Sequence, residues 1–154
     1  MQDALEQASF ASLEADRQHN LRQLVLAVGR KVGGDVHEEL RARGHHQICS
    51  SHTTVLANMA LSGSSISETA ERAGMTKQVL GRLARELDAA GYVNIEASAN
   101  DARVRVLTFT EKGRQLMRES FDIMADLQNR YAGKIGKDRF DAFVKGAEAL
   151  LAAR

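Results

Sequence analysis

Two helix starts follow one another closely between Ser65 and Gly91, and together they leave the chain few choices of fold. Ser65-Ile66-Ser67-Glu68 has the Ser-x-x-Glu form of a capping box, in which hydroxyl and carboxylate each satisfy a backbone amide left free in the first turn. Ala70 and Ala73 keep that short helix slim enough for a neighbouring helix to approach. Gly74 breaks it, and Thr76 offers a second capping hydroxyl. From there Leu80, Leu83, Ala84 and Leu87 recur at helical spacing as one apolar stripe. Lys77, Gln78, Gly81, Arg82 and Arg85 take the other side, and Gly91 stands where a left-handed residue most easily ends a helix. Two short helices joined by a tight glycine-containing turn, the second basic on its outer face, spell a helix-turn-helix.

The residues after Gly91 narrow the fold further. Tyr92 to Ala97 alternates as a half-buried strand does, and Val104 to Phe109 is rich in β-formers. Ser98-Ala99-Asn100-Asp101-Ala102 between them is a polar turn, with Arg103 and Arg105 beside its tip. Strand, turn and strand directly after a basic helix make a wing. At these residues the chain resembles the MarR family (multiple-antibiotic-resistance regulators). Leu80, Arg82, Leu87, Gly91 and Val93, then Asn100-Asp101-x-Arg103, then Thr110 and Gly113 keep that family's order and spacing over roughly residues 60 to 113. One departure is Ala99, where the family usually has a proline. The chain has no proline at all, so a more mobile wing tip is expected.

Composition sets outer limits. At 154 residues and 44% apolar, the chain is one domain's worth of soluble globular protein, or two intimately joined halves. A net charge of +1 does not announce a polyanion partner, so that reading rests on where the charges lie: acidic residues towards the start, basic ones in the candidate reading head. No apolar run reaches the ~18 residues of a membrane span, and the start lacks the plan of a signal peptide. The single cysteine excludes an internal disulfide. A cytoplasmic location, with no membrane partner, is expected.

The flanks are helical. Leu21, Leu24, Val25, Val28, Val32, Val36 and Leu40 define a long amphipathic helix over about residues 17–43, weakened by Gly29, Gly33 and Gly34, which either bend it, admit a close neighbour or act as a hinge. Residues 44–51 read as a loop and 51–61 as a further helix. Ser62-Gly63-Ser64 is a plain connection. After a cap at Thr110, Leu116, Met117, Phe121, Met124, Leu127 and Tyr131 make a second long stripe, interrupted at Gly133 and Gly136. A last helix, about residues 137–153, carries Phe140, Phe143, Val144, Ala147, Leu150 and Leu151 for burial. Residues 1–16 are a polar arm or a frayed helix. The expected division is therefore 1–48 as arm and first dimerisation helix, 49–113 as winged helix-turn-helix, and 114–154 as C-terminal dimerisation helices. The fold class is mainly α with a small β-wing. The resemblance implies that first and last helices of two subunits interleave in a homodimer, the alternative being a self-contained monomeric core.

Candidate sites are chosen by chemistry. A helix in the major groove can offer Lys77, Gln78, Arg82 and Arg85 to bases and phosphates, because arginine suits bidentate contact with guanine and glutamine with adenine. Ser65 and Thr76 at the helix starts belong to the same DNA-facing set, and Gly81 would let backbone come close. Arg103 at the wing tip can enter the minor groove, and Arg105 near it belongs to the same DNA-facing set. The resemblance implies that Asp101 sets the geometry of Arg103, that double-stranded DNA with a pseudo-palindromic site is the partner, and that a small, often aromatic effector releases it. Val28, Val32, Val36, Met59 and Met117 could line the effector's cavity, or serve as core.

His45, His46, Cys49 and His52 form the other notable cluster. Imidazole and thiolate are the ligands transition metals favour. The spacing matches no recognised zinc arrangement, so a metal- or redox-responsive regulator of the same fold is an alternative reading. A protein-interaction module without DNA binding is another. No Gly-rich phosphate loop, nucleophile elbow or acid–base pair marks an enzyme, and no cofactor is implied.

Overall fold

A computed structural model describes residues 20–98 and 101–153. The expectations for the arm at 1–16, for a helix beginning at Arg17 and for the wing tip at Ala99 lie outside those residues. Two compact units divide the chain, Met1–Asp35 and Val36–Arg154. Helix α1 (Leu21–Ala42) begins in the first and ends in the second. Its start is capped by Asn20, whose side-chain oxygen accepts from the Gln23 amide at 3.0 Å. Within the first unit Lys31 and Asp35 pair one turn apart, and the helix runs through Gly29, Gly33 and Gly34 without a break. Leu21, Leu24, Val25, Leu26 and Val28 are exposed there.

The second unit continues with α2 (Ser50–Asn58), β1 (Ser64–Ser65), α3 (Ile66–Arg72), α4 (Lys77–Ala89), β2 (Val93–Ala97), β3 (Arg105–Phe109), α5 (Glu111–Ile135) and α6 (Lys137–Ala152). The three strands form one antiparallel sheet in the order β1-β3-β2. In β2 and β3 Val93 faces Phe109 and Ile95 faces Leu107, which puts the larger apolar residues on the core side. Strand β1 corrects the expectation of a plain connection at residues 62–64: Ser64 pairs with Leu107 and Ser65 with Val106. Two serines carry no alternating pattern, so only the edge of β3 makes them a strand. Helix α2 ends at Asn58 rather than near Leu61.

The capping residues act as their chemistry predicts. Ser65 accepts from the Glu68 amide while the Glu68 carboxylate accepts from the Ser65 amide at 2.8 Å. That backbone bond, with the Ser65 hydroxyl, holds the Glu68 carboxyl below its ordinary range. Thr76 accepts from Val79, and Thr110 from Gly113. Gly91, with φ +78°, reverses the chain after α4 and sends Tyr92 into the core, where its amide donates to Leu87 at 2.9 Å.

The core gathers where α2, α3, α4, the sheet and α5 meet. Leu80, Leu83, Ala84 and Leu87 of α4 are all buried, with Leu40, Ile48, Val55, Leu56, Met59, Leu107, Phe109, Leu116 and Leu127 around them. Stripe residues Met117, Met124 and Tyr131 of α5 pack partly against that core, and Ile123, which lies outside the expected stripe, is buried in it. Phe121 is left exposed. Helix α5 also runs through Gly133, so that residue does not interrupt it, and stops only before Gly136. Among the described residues none of helix α6 is fully buried: Phe143, Leu150 and Leu151 are exposed, on the face that the expected homodimer would cover with a second subunit.

Candidate nucleic-acid interface

Helix α4 stands with its leucines inward, so Lys77, Gln78, Arg82 and Arg85 are all exposed on its other side. Gly81 departs from this plan. It is buried, and an Arg85 guanidinium nitrogen stands 3.8 Å from where a Cβ would be. One end of the exposed Arg85 side chain thus lies within ordinary van der Waals reach of the glycine. Ser65 is half-buried, with its hydroxyl engaged by Glu68 in both directions. Thr76 is exposed at the helix start.

The wing's base is held by backbone bonds. Ser98 donates to Val104 at 2.8 Å, and Val104 donates to Asp101 at 2.9 Å. The Asp101 carboxylate accepts from the Arg103 amide at 2.9 Å, the short-range turn an aspartate two residues upstream is suited to make. Arg103 and Arg105 are both exposed, Arg105 opening β3 opposite Ala97. Helix face and hairpin therefore offer their arginines from two separately anchored elements of one unit.

Two acidic residues missing from the sequence reading lie in this region. Glu86 sits one turn after Arg82 and accepts from its guanidinium through one oxygen, while its other oxygen is 2.9 Å from His52 Nε2. Hydrogen bonding from His52, then from Arg82, holds the Glu86 carboxyl below the ordinary range although some desolvation opposes it. Glu119 of α5 meets His45. His45 is buried with Nδ1 2.9 Å from the Tyr92 hydroxyl and Nε2 3.0 Å from the Glu119 carboxylate. Burial alone would raise Glu119, but hydrogen bonds from Gln115 and His45 outweigh it and leave its carboxyl lowered. Burial, with the Glu119 charge nearby, raises the Tyr92 hydroxyl and keeps it protonated as a donor. The spacing of Arg82 and Glu86 is readable as an i,i+4 pair, but no local pattern reveals the links of His52 to Glu86 or of His45 to Glu119, which are far apart in sequence.

These partners also answer the histidine cluster. His45 turns to Tyr92 and Glu119, His52 turns to Glu86, and His46 and Cys49 are exposed. His45 and His52 are thus aimed at different carboxylates, and among the described residues no three metal-type ligands come together. Of the candidate effector residues, Val28 is exposed and Val32 half-buried in the first unit. In the second, Met59 belongs to the core, with Val36 and Met117 packed against it. No helix among the described residues is long and apolar enough to cross a membrane.

Similarity to known proteins agrees with this geometry. The MarR family model matches residues 48–104, from the start of α2 to the wing. The reduced form of MarR from E. coli is a similar structure, with TM-score 0.75 and 16% identity over 86% of this chain and 96% of that one. The transcriptional repressor CouR, solved bound to a 23-mer DNA duplex, has TM-score 0.71 and 18% identity over 88% and 95%. The transcriptional regulator BldR from Sulfolobus solfataricus has TM-score 0.68 and 18% identity over 90% and 96%. No curated protein sequence matches the chain. Residues 48–104 thus match the MarR family model, within a chain whose fold is similar to that of MarR from E. coli.

Proposed function

We propose that this protein is a homodimeric, sequence-specific DNA-binding regulator that represses transcription and is released by a small-molecule ligand. One observation carries the DNA contact: α4 turns Lys77, Gln78, Arg82 and Arg85 outward while the adjoining hairpin presents Arg103, held at its amide by Asp101. In this reading α4 enters the major groove and Arg103 the minor groove beside it. CouR, a repressor of similar fold bound to duplex DNA, supports that use of the scaffold. Two-fold pairing is supported by apolar surface that a monomer leaves in water. Leu150 and Leu151 are 60% and 88% exposed, and Phe121 and Phe143 are exposed with them. The operator then has two half-sites about 10 bp apart.

Fluorescence anisotropy on the DNA upstream of the protein's own gene, at two salt concentrations, tests the reading. Binding should weaken steeply with added salt as counterions are no longer released to advantage. Arg103→Ala should weaken it and lower the slope of log affinity against log salt by about 1. Salt-insensitive binding, or none to any duplex, would refute it.

A further inference from the structure

Arg82 is not a loose surface side chain, because the carboxylate that holds it is itself held from another helix. Glu86 accepts from Arg82 with one oxygen and lies 2.9 Å from His52 Nε2 with the other. His52 belongs to the first turn of α2, and its side chain is only 10% exposed. Its ring has one tautomer that fits. The Cys49 amide donates to Nδ1 at 3.3 Å, so Nδ1 must be the acceptor and Nε2 carries the proton given to Glu86. A hydrogen-bonded chain therefore runs from the start of α2, through imidazole and carboxylate, to a guanidinium on the outward face of α4.

An ordinary pair one turn apart on a helix is weak, and both side chains sample several rotamers. Here the anchored carboxylate removes much of that freedom before any partner arrives, which is the general route by which pre-organisation favours binding. The guanidinium presents five N–H donors in a planar fork, and Glu86 uses one edge of it. The remaining edge matches the two acceptors, O6 and N7, that guanine shows in the major groove. A phosphate contact gains nothing from the arrangement, since the Glu86 charge would repel the phosphate. We propose that Glu86 and His52 are positioning residues that make Arg82 a reader of a guanine edge instead of a phosphate tether. This rests on the DNA-binding reading above and adds to it the residues that set sequence preference.

The test is selection from a randomised duplex pool by the full-length protein, followed by anisotropy on the selected site and on an unrelated duplex. Arg82→Ala identifies the base pair whose preference Arg82 carries. Glu86→Gln keeps the shape of a partly exposed side chain, and its fold is checked by circular dichroism. It should lower that guanine preference about tenfold, within the range one bidentate contact commands, and it should strengthen binding to the unrelated duplex because a negative charge is gone. Those opposite signs are not what a merely structural fastening of α2 to α4 would produce. His52→Gln, whose amide can still donate to Glu86, should restore the preference that His52→Leu loses. A folded Glu86→Gln protein with the guanine preference intact overturns the inference and leaves the DNA-binding reading standing. So does an Arg82→Ala protein that loses no base preference, or a Glu86→Gln loss spread evenly over all positions. A wild-type protein that enriches no site sinks the DNA-binding reading, and the inference with it.

Discussion

Replacing Gly113 by alanine should cost this protein several degrees of thermal stability, and the reason is a single close approach. Gly113 lies in the first turn of α5, where that helix leaves the sheet. A Cβ built there would stand 2.0 Å from the Tyr92 carbonyl oxygen and 3.2 Å from a Phe109 ring carbon. Carbon and oxygen in contact settle near ~3.3 Å, so helix and carbonyl would have to part by roughly 1 Å. Tyr92 is 1% exposed, and its carbonyl accepts from the Thr110 amide at 3.1 Å, so the movement strains a bond in the dry core. Overpacking of this kind costs about 1–3 kcal/mol, and weakening the hydrogen bond adds about 1. Alanine's advantage over glycine inside a helix returns about 1. The net is about 1–3 kcal/mol, which for a chain of this size lowers Tm by roughly 2–12 °C. Gly133, on the same helix, is the control, since among the described residues nothing lies within 4 Å of its Cβ position. Gly133→Ala should raise Tm by about 2–4 °C through helix propensity alone. Melts followed by circular dichroism at one fixed protein concentration compare them. A Gly113→Ala protein melting at or above wild type would refute the reasoning.

Three further outcomes are expected. Thr76→Ala removes the hydroxyl that accepts from Val79 and should cost about 1 kcal/mol in urea unfolding, with Thr76→Ser close to wild type. Glu119→Gln tests the His45 network through pH: the Glu119 carboxyl is lowered from 4.5 in the folded state, so its stabilisation is full above that value and is lost as pH falls through the folded pKa. The Tm gap between wild type and Glu119→Gln should therefore be widest near neutral pH and close below about 4.5; a gap that persists unchanged at about pH 3 would count against the network. Leu150→Glu with Leu151→Glu should turn a sedimenting dimer into a monomer, and a wild-type protein that already sediments as a monomer would end the dimer proposal.

The reading head was largely legible because its signals are local. Caps at Ser65, Thr76 and Thr110 depend on side chains within three residues of the amides they satisfy. The inward leucines of α4 follow from period alone, and so does the outward position of Lys77, Gln78, Arg82 and Arg85. Where the reading slipped, the deciding contact came from packing. Ser64 and Ser65 became a strand because β3 passed beside them. The histidines are neighbours in the chain, yet His45 and His52 found different partners in space.

The order of elements, their caps, the apolar faces of the helices and the wing with Arg103 were written in the amino-acid order, since periodicity and first-turn chemistry act over a few residues. Only packing in three dimensions brought Tyr92 and Glu119 together at His45, let Glu86 bind both His52 and Arg82, and set the Tyr92 carbonyl against Gly113. Buried polar groups must find partners wherever packing brings one within reach, and no local pattern records which residue that will be.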